Sequence, residues 1–75
     1  MRLEERLKEY IEDLKWDIEE SKKRIESLKE RIEIFGNIYP RIKYEELIAK
    51  EEGIIETLQS IIDVEEDMLK GVKYE

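Results

Sequence analysis

The chain reads as all-α, an antiparallel helical hairpin dimerising into a four-helix bundle. Three observations predict this. Residues 4 to 35 repeat a seven-residue pattern with Ile at 11, 18, 25 and 32, the period of one helix laid along another. A Gly-Asn-Ile-Tyr-Pro stretch at residues 36–40 breaks a chain that is otherwise poor in Gly and Pro. Beyond it, large apolar residues recur on two adjacent seven-residue lines, an arc broader than one facing helix covers.

Helix 1 is expected over about residues 2–35. From Leu3 to Phe35 there is no Gly or Pro, and charged helix formers fill the outer positions. With Ile11 lettered a, the d positions hold Leu7, Leu14, Ser21, Leu28 and Phe35, b holds Glu5, Glu12, Glu19, Glu26 and Glu33, and e holds Lys8, Lys15, Lys22 and Lys29. Such spacings form a ladder of opposite charges along the surface, each pair contributing about 0.2–0.5 kcal/mol. At about 1.5 Å per residue the helix spans roughly 50 Å.

The link is expected over about residues 36–40. Gly36 stands where a left-handed C-terminal cap is expected, with Asn37 after it and Ile38 placed to fold back on the last turn. Pro40 suits the first turn of a new helix, where its missing N–H would be unpaired anyway. So short a link forces the two helices to lie antiparallel.

Helix 2 is expected over about residues 41–70, completing a single domain over 1–75. Leu47, Ile54, Ile61 and Met68 form one line and Ile48, Ile55, Ile62 and Leu69 the next; a third holds Tyr44, Glu51, Leu58, Glu65 and Val72. Helix 1 presents only a two-position seam. Four large side chains left in water, at about 1.5–3 kcal/mol each, drive association on the scale of a small domain's whole stability. The expected homodimer interface therefore draws on Leu47, Ile48, Ile54, Ile55, Leu58, Ile61, Ile62, Met68 and Leu69. A trimer or an obligate complex with another helical protein would satisfy the same arc.

Folding the chain about residue 38 pairs positions whose numbers sum to about 77, which sets Ser21 beside Ile55, Ile18 beside Leu58 and Leu14 beside Ile62. Gly53 falls near Ser21. A glycine inside a helix costs about 1 kcal/mol against alanine, so a close helix approach there is expected, with a ligand pocket or kink as the sharper alternative. Glu51 and Glu65 interrupt the apolar arc. About 21 Å apart along the axis, they are too distant for a shared metal or a catalytic pair. They are expected to reach bases on helix 1, Glu51 toward Arg24 or Lys29 and Glu65 toward Lys8 or Lys15, and so to set register, since an unpaired buried charge is expensive.

Composition narrows the function classes. The chain has 75 residues, no Cys and no His, which removes disulfides, the usual zinc ligands and the usual near-neutral acid–base group. No cofactor or metal is expected, and no catalytic residue either: there is no nucleophile beside a base and no Gly-rich phosphate loop. The Glu-, Lys- and Ile-rich composition with one Asn and one Gln leans toward a thermophilic source. No apolar run reaches the roughly 20 residues of a membrane span, and the charged start lacks a signal peptide's apolar core, so a cytoplasmic protein is expected. Lys22, Lys23 and Arg24 form a local basic spot, but the net charge of −7 repels a polyanion. Nucleic acid is thereby disfavoured as a partner.

Two features are candidates for binding a protein partner. Trp16 stands at position f, farthest from the seam, and with Tyr10 and the neighbouring Arg6 or Lys23 it outlines a patch on helix 1 of the type that enriches Trp at interfaces. The bland alternative is an aromatic lying over its neighbours' methylenes. The second is the hairpin tip, where Ile38 and Tyr39 gather with Ile34 and Ile42 around Arg41 and Lys43, unless that cluster only seals the bundle end.

A heptad helix ending in Phe35-Gly36-Asn37, a short link through Pro40 and a second apolar helix together resemble the Rop-type hairpins, which dimerise as antiparallel four-helix bundles. The chain is also similar to the small Rop-like hairpin proteins of spindle-shaped archaeal viruses, a resemblance that implies an adaptor role in the host cytoplasm. It covers the whole chain, in architecture. Rop-type cores alternate small and large layers, whereas this one is mostly Ile and Leu, and Rop's basic RNA-contacting face is replaced by an acid–base ladder. The expected function is therefore a non-enzymatic adaptor or assembly module that homodimerises and binds another macromolecule through its outer faces. The alternative is a Rop-like RNA-binding regulator.

Overall fold

The computed structural model of the protein describes residues 2–36 and 41–74, with residues 72–74 as helical backbone only. Two helices result, α1 at Leu3–Phe35 and α2 at Arg41–Tyr74. They pack along each other as a hairpin 58 × 16 × 13 Å in extent, with no strand among the described residues. The expectations placed on Asn37, Ile38, Tyr39 and Pro40, and on the Val72 side chain, lie outside the described residues.

Glu4 and Glu5 in the first turn of α1 oppose the positive end of the helix dipole. The end of α1 corrects one expectation. Gly36 is right-handed, at φ −57° and ψ −23°, and its N–H donates to the Ile32 carbonyl at 2.9 Å. Glycine is needed there for space, since a Cβ would run into that same Ile32 carbonyl oxygen. At Gly36 itself the backbone makes no left-handed turn.

The helix α2 passes residue 70 and runs through Gly71 to Tyr74, because one glycine costs a helix only about 1 kcal/mol. Gly53 corrects a second expectation. Nothing lies within 4 Å of a Cβ built on it, so the helices make no close approach there. Gly53→Ala should accordingly stabilise the hairpin by about 1 kcal/mol through helix propensity alone, read as a higher thermal midpoint by circular dichroism. A lower midpoint would mean that an unseen neighbour occupies that space.

The seam follows the lettering. Leu7, Ile11, Ile18, Ser21 and Ile25 of α1 are buried, and α2 answers with Ile48 and Ile62. Ile11, Ile18 and Ile62 form the centre of the core, with Leu14, Ile55, Leu58 and Leu69 packed around them. The Arg24–Glu51 ion pair, at 3.0 Å between helices, sets the register at a number sum of 75, close to the expected 77. Phe35 leaves the d column half exposed. The surface ladder is largely open: of its b–e pairs among the described residues, Lys22–Glu19 closes at 3.4 Å, while Lys8 turns instead to Glu4 at 3.3 Å. Exposed pairs gain little over hydration, so spacing alone does not close them.

Candidate functional site

One face of the hairpin is apolar and uncovered. Successive residues on a helix point about 100° apart, so once the Ile48 line turns into the seam, the Leu47 line must turn out of it. Leu47, Ile54, Ile61 and Met68 are 38–51% exposed. They form a stripe at seven-residue spacing along α2. Of the nine residues expected at a dimer interface, Ile48 and Ile62 are buried within the single chain, and Ile55, Leu58 and Leu69 pack against its core. The other four make up the stripe.

The flank of α1 beside this stripe carries its c and g positions. Arg24, Ser27, Arg31, Leu47 and Lys50 line one shallow depression there, and Arg31, Lys43, Leu47 and Lys50 share in a neighbouring one with Glu46. Further from the tip, Trp16, Asp17, Glu20, Ile54 and Leu58 line a third. Trp16, 64% exposed, thus stands beside the α2 stripe, although position f lies opposite the seam. A long, flat side chain covers more arc than its Cα direction indicates. The expected Trp16–Tyr10–Lys23 patch is not drawn together in that depression: Tyr10 is exposed outside it and Lys23 is bound to Glu20 at 3.1 Å. At the tip, Ile34 and Ile42 are exposed, while Ile38 and Tyr39 fall outside the described residues.

A polar lock lies at the edge of this face. Arg24 donates from Nε to Glu51 at 3.0 Å and from a terminal guanidinium nitrogen to the Ser21 hydroxyl at 2.8 Å. Ser21 is 0% exposed, so its small side chain at a d position holds an arginine across the seam. Sequence spacing places Glu51 near Arg24 but carries no signal for this use of Ser21. The Arg24 hydrogen bond holds the Glu51 carboxyl below its usual range, against the desolvation that pushes it up, with a smaller contribution from the Ser21 hydroxyl. The same bond raises the Arg24 guanidinium further.

The sign of the pH effect follows. A carboxyl whose folded value lies below its ordinary 4.5 contributes stability that is full above pH 4.5 and lost as pH falls through the folded value. Arg24 stays charged throughout that window. Glu51→Gln should therefore be less stable than the parent at pH 7, with the gap closing below pH 4.5, as measured by urea midpoints at the two pH values. A gap independent of pH would remove the charge from the explanation.

Glu65 does not pair as expected. Lys8 and Lys15 line a depression on the opposite flank with Glu66, Leu69 and Lys70, and among the described residues neither forms an ion pair with Glu65. One carboxylate oxygen of Glu65, like one of Glu51, is buried without a hydrogen-bond donor. Glu65 enters no ion pair among the described residues. An unsatisfied buried polar atom costs about 1–3 kcal/mol.

The basic spot on α1 is neutralised locally: Lys22 binds Glu19, Lys23 binds Glu20 and Arg24 binds Glu51. Among the described residues no group of three His, Cys, Asp or Glu could hold a metal ion, and no helix is long and apolar enough to cross a membrane. No family model, no curated protein and no solved structure matches the chain.

Proposed function

We propose that this chain is an association module: a homodimer of hairpins, closed as a four-helix bundle over the α2 stripe, acting as a non-enzymatic adaptor whose outer faces bind another macromolecule. The stripe of Leu47, Ile54, Ile61 and Met68 carries the reading. A seven-residue apolar line is the pattern one helix offers to another, and α1 is already committed to the neighbouring lines of the same helix. The domain is small and has no cysteine, so association is the staple open to it. The resemblance to Rop-type hairpins is one of architecture and agrees with this assembly. Its RNA-binding side gains no support, because the basic residues on which it would rest are bound to carboxylates of the same chain.

Sedimentation equilibrium at micromolar concentration tests the assembly. The expected species is a folded dimer at twice the 9.1 kDa chain mass. A folded monomer overturns the homodimer. The adaptor part is tested by affinity capture with the intact dimer, followed by mass spectrometry and direct binding of the captured partner in purified form. Failure of every purified candidate to bind, or binding that requires nuclease-sensitive nucleic acid, removes it.

A further inference from the structure

The face around the stripe is electrically lopsided. Toward the tip it carries Arg31, Lys43 and Lys50, with Glu46 alone against them, because Arg24 and Glu51 cancel. Among the described residues none of those three cations makes an ion pair. Farther from the tip stand Asp17, level with the middle of the stripe and without an ion pair among the described residues, and Glu65 with its donor-less buried oxygen.

From this we infer that the occupant of the stripe is a second copy of the chain laid tip to tail, related by a two-fold axis level with residues 57 and 58. The inference rests on the homodimer proposed above and adds its orientation and register. A stripe can cover itself in antiparallel fashion only about its own midpoint, and the midpoint of Leu47, Ile54, Ile61 and Met68 falls between 57 and 58. Residues whose numbers sum to about 115 then meet across the axis. Leu47 lies on the copy's Met68, and Ile54 on its Ile61. The same operation, using no further freedom, lays the basic tip end of each face against the far end of the copy's α2 stripe, near the level of Glu65, whose buried oxygen has no donor among the described residues. The 24–51 register puts Trp16 level with residue 59, beside the axis, so both copies of the indole cluster at the centre of the interface, where aromatic anchors are most effective. A tip-to-tip arrangement would instead set Arg31, Lys43 and Lys50 against their own images, and like charges juxtaposed at an interface cost several kcal/mol.

Disulfide trapping reads the orientation directly, since the parent chain has no cysteine. Leu47→Cys and Met68→Cys are made as separate chains, mixed and oxidised. Within one chain these positions are about 30 Å apart along α2, far beyond disulfide reach, so every bridge reports on two chains. The expected result is the mixed 47–68 dimer in large excess over either self-bridged product. Self-bridged 47–47 and 68–68 products would overturn the tip-to-tail order, and a sedimenting dimer with no bridge at all would take the stripe out of the interface. A monomer would overturn the homodimer reading itself.

Discussion

Replacing Ile62 by alanine is expected to destabilise the hairpin by about 2–5 kcal/mol, the range for emptying a packed aliphatic site, and to lower its thermal midpoint on the order of 10 °C or more. Ile62 is 1% exposed and lies at the centre of the core with Ile11 and Ile18, ringed by residues of both helices. Small domains have only about 5–15 kcal/mol in total. Its neighbour Ile61 belongs to the exposed stripe. Ile61→Ala should act through association, so that its deficit fades on dilution, whereas that of Ile62→Ala persists at every concentration. Thermal melts of both variants over a hundredfold concentration range check this, and equal, concentration-independent losses would show that the two residues share one environment.

The double substitution Ile54→Lys and Ile61→Lys should dissociate the dimer while leaving each hairpin helical. Each side chain forfeits about 1.5–3 kcal/mol of burial, and every 1.4 kcal/mol is about tenfold in dissociation constant. The pair should therefore weaken association by two to four orders of magnitude. Lysine is a good helix former and both positions are open to solvent in the single hairpin, so the far-ultraviolet spectrum of the dissociated chain should retain its helical signal. Trp16, the only tryptophan, provides a parallel reading. Its emission should shift to the red as the indole returns to water, and a variant that still sediments as a dimer would place the interface elsewhere.

Several features were legible in the residues because they depend on local geometry. The a and d columns of α1 follow from period alone, and all but the outermost of them are withdrawn from solvent. Folding the chain about its break brought Glu51 within reach of Arg24 or Lys29, and Arg24 is the partner it takes. Three features did not. The space requirement at Gly36 comes from a carbonyl one turn back, while the residue type suggests only a left-handed cap. Gly53 faces open space, and a glycine's identity does not say whether anything approaches it. Trp16 lies beside α2 because an indole extends well beyond the direction set by its backbone.

The sequence by itself determined that two long helices would form, that they would run antiparallel, and that α2 would carry more apolar surface than α1 could cover. Those are matters of periodicity, helix propensity and link length. Only the tertiary structure decided which line of α2 is left over. The Leu47 and Ile48 lines share one period, hold four large apolar residues each and differ only by rotation about the helix axis, so no count of apolar residues ranks them. That rotation is set where the helices meet: Ser21 is small enough to let Arg24 cross to Glu51, and Ile62 fills the space between Ile11 and Ile18. With those contacts made, the Leu47 line has only solvent to face.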